Sequence, residues 1–183
     1  AQCGEYDRAL EVYGRVRATA ESAGHTVLAT LLSLDEAELL VELNADQRAI
    51  ALAADVAARS RELALRYEGA KAHTLIGICA ARDQRIEQAL AAFAAARAAF
   101  AGEGNESRVA LVDLHRAIVL GQQGVNADAV ACAHAARAAL DRHGLRHRTI
   151  RVDAGEPVPE SIADAAGLVF MGGPMSVNDP LPW

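Results

Sequence analysis

The chain repeats itself every 40 residues, and that period constrains its fold more than any single motif in it. Ala9, Ala49, Ala89 and Ala129 share one column, and Leu10, Ile50, Leu90 and Val130 the next. Arg17, Arg97 and Arg137 share another, interrupted by Ala57. Gly4, Asn44, Gln84 and Gly124 mark one recurring turn. Gly24, Gly104 and Gly144 mark a second, with Ala64 as the exception. Two turns per period leave space for two helices, and between the turns the apolar residues recur at helical spacing.

Leu28, Leu31, Leu32, Leu39, Leu40 and Leu43 are expected to line one helix, and Ile50, Ala53, Ala54, Ala57 and Leu65 its partner. Later pairs are expected at 67–83 with 86–101 and at 106–122 with 126–143, and residues 5–23 read as a half repeat lacking its first helix. Asn126 suits an N-cap and Asp128 the first turn of the last helix, where an acid meets the positive end of the helix dipole. Gly144 suits a left-handed cap at its end. The expected fold is therefore mainly α, an α-solenoid of antiparallel helix pairs over residues 1–143. A shorter piece follows at 144–183.

Ala37, Gly77 and Ala117 fall in the first helix of each pair, and twelve residues later Ala49, Ala89 and Ala129 fall in the second. Small side chains at both places let two helix backbones come close. This pattern resembles the tetratricopeptide repeat, with a period longer than that family's roughly 34 residues and with Phe93 at one of its aromatic places. The resemblance implies stacked helix pairs, each covering a neighbour's apolar face, and a concave surface that holds an extended segment of another protein. On that reading Arg17, Arg97 and Arg137 are candidate partner-binding residues, a ladder that grips acidic side chains. The simpler reading makes them solvated arginines pairing with nearby acids.

From Gly144 the pattern changes. Residues 147–152 alternate like a strand, Asp153 to Pro159 reads as a turn-rich link, 160–165 suits one helical turn, and residues 167–171 form a continuous apolar run of the kind buried in a parallel sheet. The loop Gly172-Gly173-Pro174-Met175-Ser176-Val177 follows, then Asp179 and Pro182-Trp183. This stretch is similar to the opening of class I glutamine amidotransferase domains related to the glutaminase part of GMP synthase, and so implies an incomplete α/β piece. By resemblance the Gly173 backbone N–H is the oxyanion-hole donor, with Gly172 and Pro174 shaping the loop. The family's nucleophilic cysteine, histidine and glutamate have no counterpart in this chain. Cys79 and Cys132 sit inside expected helices, without the glycines of a nucleophile elbow. His134, His143 and His147 read as exposed histidines. No complete active site, metal site or cofactor is expected, and glutamine is a ligand only where the missing catalytic half is present.

A formal charge of −6 disfavours a nucleic-acid surface. The sequence has no apolar run long enough to span a membrane. Three widely spaced cysteines suggest no disulfide framework, which points to a reducing cytoplasm. The chain opens in mid-pattern at Ala1 and stops in a loop at Trp183, so both ends are expected to be cut. The leading expectation is a protein–protein interaction scaffold. Two alternatives stay open: a fragment of an amidotransferase preceded by a repeat region, or two unrelated coding sequences joined near residues 130–145.

Overall fold

Six turns of one kind set the architecture. At Gly24, Asn44, Ala64, Gln84, Gly104 and Gly124 the backbone enters the left-handed region, with φ of 75°, 54°, 58°, 60°, 67° and 74°. The residue after each of these donates its N–H back across the turn to a carbonyl five residues earlier: His25 to Ala20, Ala45 to Leu40, Leu65 to Ser60, Arg85 to Ala80, Asn105 to Phe100 and Val125 to Leu120. This is the Schellman closure, which satisfies the last carbonyls of a helix. The carbonyl of that same donating residue then accepts the first bond of the next helix, as His25 does from Ala29 and Ala45 from Ala49. One residue thus ends one helix and starts another.

The computed structural model describes residues 3–142 together with 148, 150, 155–159 and 161. Among them lie seven helices: α1 (Cys3–Ser22), α2 (Thr26–Glu42), α3 (Asp46–Glu62), α4 (Arg66–Arg82), α5 (Ile86–Gly102), α6 (Glu106–Gln122) and α7 (Asn126–Arg142). From α2 onward each has 17 residues, roughly 25 Å of helix. The 40-residue sequence period is therefore two backbone units of one length. The expected later pairs are present to within a residue. Two expectations are corrected. Gly4 lies inside α1, so no turn occurs there. Asn126 is the first residue of α7, whereas the side-chain cap of this kind belongs to α6, where the Asn105 carboxamide oxygen accepts from the Arg108 N–H at 3.2 Å. Gly155 carries a turn with φ of 81°, and residues 156–159 are irregular. Most of the expected strand at 147–152, all of that at 167–171, and His143, Gly144, His147, Gly172, Gly173 and Pro174 lie outside the described residues.

The chain divides into two compact units, Ala1–Val112 and Asp113–Trp183. In the first, each helix from α1 to α5 packs on its sequence neighbours, and α2 also touches α4. Its core is built from small residues at the closest approaches and large ones between them. Val56 of α3 is buried among Leu34 and Ala37 of α2 and Ala72 and Ile76 of α4. Leu40, Val41, Ala49 and Cys79 form a second cluster. Of the leucines expected to line α2, Leu40 is buried, Leu31, Leu32, Leu39 and Leu43 are half-buried and Leu28 is exposed, while Ala29, Leu34, Ala37 and Val41 complete the core. Apolar spacing alone does not separate these faces, because α2 is apolar nearly all round.

The small-residue columns fall in the interior. Ala37, Ala49, Ala89, Ala117 and Ala129 are buried, and a Cβ added at Gly77 would meet the Phe93 ring at 2.5–2.8 Å. Phe93 fills the space that Gly77 leaves. Phe100 is equally buried and meets the Tyr67 ring edge-on at 5.6 Å. In the second unit the α6–α7 turn repeats the Schellman closure, and Gly121 lies close to Ala129.

Candidate functional site

The column of position 36 is buried at one of its two later repeats, by Ile76, and half-buried at the other, by Arg116. At position 36 itself stands a glutamate. Glu36 is only 7% exposed, and a buried carboxylate needs a cation beside it. Arg17 of α1 supplies one, with Nη2 at 3.4 Å from Oε2. The pairing is loose. Glu36 Oε2 and Arg17 Nε are both buried without a hydrogen-bond partner.

Glu36 opens onto a surface depression of about 370 Å³ lined by Glu36 and Leu40 of α2 and by Arg48, Ala51, Leu52 and Asp55 of α3. The backbones of α2 and α4 approach directly and are joined by a Lys71–Glu38 ion pair. The depression lies along α2 and α3, the two helices whose side chains line it. Arg59 of α3 binds Glu21 of α1 at 3.2 Å and Asp55, one of the lining residues, at 2.9 Å. The Glu21 hydrogen bond, followed by the Asp55 carboxylate, raises the Arg59 pKa further. Asp55 is thus neutralised on its own helix, whereas Arg48 is exposed and has no ion-pair partner among the described residues. The floor is aliphatic, and the rim carries one unengaged cation.

Arg17, Arg97 and Arg137, expected as a ladder, lie on α1, α5 and α7. Arg17 is committed to Glu36 on α2. Arg97 is half-buried on α5, a helix that does not touch α1, and is itself engaged within the chain. Arg137 is exposed on α7 in the second unit. Sequence reading missed Glu36, Arg48 and Asp55. The usable signal was an acid at position 36, in the column that holds Ile76 one period on.

Nothing described resembles a nucleophilic site. Cys79 is buried, and burial together with the Asp46 carboxylate pushes its thiol up to about 12, the opposite of an activated thiolate. His73 is lowered by burial and then by Arg61, and His134 is exposed on α7. Among the described residues no group of His, Cys, Asp and Glu is placed to hold a metal ion, and no helix is long and apolar enough to cross a membrane. Comparison with protein-family models, with curated proteins and with solved structures gives no match to this chain.

Proposed function

We propose that the chain is a tetratricopeptide-like scaffold that holds an extended segment of another protein along the furrow beside α2 and α3. The observation that supports this most is the furrow itself: an open aliphatic floor at Leu40, Ala51 and Leu52, with Arg48 unpaired on its rim. An open furrow suits a chain segment better than a small ligand, whose pockets enclose most of its surface. The segment's chemistry follows from the lining. An aliphatic side chain fits over Ala51 and Leu52, and a neighbouring aspartate or glutamate pairs with Arg48.

The test is a display selection of random peptides on the purified chain. Enriched peptides are expected to carry an acid beside an aliphatic residue. Their binding is expected to fall about tenfold in Arg48→Glu and in Ala51→Glu, both at exposed positions, in keeping with loss of a central contact. The electrostatic part is expected to weaken further with salt. No enrichment, or binding that ignores both substitutions, overturns the proposal.

A further inference from the structure

Large apolar side chains left exposed in the first unit include Tyr6, Val12 and Val16 on α1, Val27 and Leu28 in the first turn of α2, and Leu111 on α6. Val12 and Val16 are each 40% exposed. Four residues apart, they lie on one face of α1.

The internal period shows what such a face meets elsewhere. One period after Val12 and Val16 stand Leu52 and Val56 on α3, and two periods after stand Ala92 and Ala96 on α5. Val56, Ala92 and Ala96 are buried, and Leu52 is partly buried. Val56 is covered from two sides, by Leu34 and Ala37 of the preceding α2 and by Ala72 and Ile76 of the following α4. Shifted back one period, α4 becomes α2, which does pack on α1. The place of α2 is unfilled among the described residues, and Val12 and Val16 are the residues facing it.

We propose that the Val12–Val16 face of α1 is a docking surface for one further amphipathic helix of the α2 kind, presenting a leucine and an alanine three residues apart. The occupant continues an interface the molecule already makes: small and aliphatic side chains of an even-type helix set against valine on an odd-type one. A second copy of the chain joined α1 to α1 would present valine to valine, a pairing that neither of the two clusters described above uses. The furrow at Arg48 plays no part, so the two proposals stand or fall separately.

The experiment uses the full chain and a synthetic 17-residue peptide with the sequence of α2, Thr26–Glu42. Saturable binding by fluorescence anisotropy is expected. It falls about tenfold or more in the Val12→Glu/Val16→Glu double variant and is unchanged in Arg48→Glu. A peptide with Leu34→Glu and Ala37→Glu does not bind. Circular dichroism of the double variant confirms that it remains helical; both sites are exposed, so folding does not depend on them. Equal binding to the double variant means that the peptide exchanges with the chain's own α2, which overturns the proposal. So does a self-associating chain that becomes monomeric in the double variant while the peptide fails to bind, since a second copy then covers the face.

Discussion

A single buried carboxylate distinguishes the first helix pair from the second. Where α3 and α4 bring Ala57 and Ile76 to the core, α1 and α2 bring Arg17 and Glu36. An ion pair at such a position sheds hydration that the Coulomb attraction only partly restores, and here two of its buried polar atoms lack hydrogen bonds. Arg17→Ala leaves Glu36 charged and buried without its cation. The expected loss is about 1–3 kcal/mol, smaller than for a fully buried pair because Arg17 is partly exposed. The double variant Arg17→Ala/Glu36→Ile copies the second pair and is expected to be at least as stable as the natural chain. Urea denaturation of the two variants checks this. A double variant less stable than Arg17→Ala alone would show that the pair organises this part of the core.

The helix and its turn form the unit that recurs. A three-residue link with a left-handed centre fixes where each helix stops and the next begins. Glycine occupies that centre at 24, 104 and 124, and asparagine, which tolerates the left-handed region, at 44. Ala64 and Gln84 adopt it against the clash of their Cβ with the backbone. Ala64→Gly removes that clash, and the gain outweighs the added freedom of the unfolded chain. The expected stabilisation is about 0.5–1 kcal/mol, read as a raised denaturation midpoint. An unchanged or lowered midpoint would mean that the turn is not strained at Ala64. These turns were legible in the sequence because they recur at fixed intervals. Ala64 and Gln84 were readable only by register, since neither residue signals a left-handed turn alone.

Across the first unit, helix backbones approach their sequence neighbours, with α2 to α4 a further approach. Stability in such an array is a sum of local interfaces. A fault at one interface therefore opens its own helices before the others. Gly77→Ala drives a Cβ into the buried Phe93 ring between α4 and α5. Overpacking of this kind costs about 1–3 kcal/mol, which exceeds the helix-propensity gain of about 1 kcal/mol. Native-state hydrogen exchange of this variant is expected to speed up in α4 and α5 while α1 stays protected. A uniform acceleration over α1–α5 would show that these helices open as one unit.

The sequence by itself determined the number, length and spacing of the helices from α2 to α7. Periodic apolar residues and recurring turn residues are local signals, and backbone hydrogen bonding needs nothing more. It also marked positions that the fold buries: Ala37 and Ala49 are fully buried, and Gly77 leaves the space that Phe93 fills. Tertiary structure alone decided which side of α2 is core, because that helix is apolar nearly all round and only its neighbours choose a face. It likewise decided that Arg17 meets Glu36 across the α1–α2 interface, and that a furrow forms beside Arg48. Both depend on how neighbouring helices pack, which a period can repeat but cannot set.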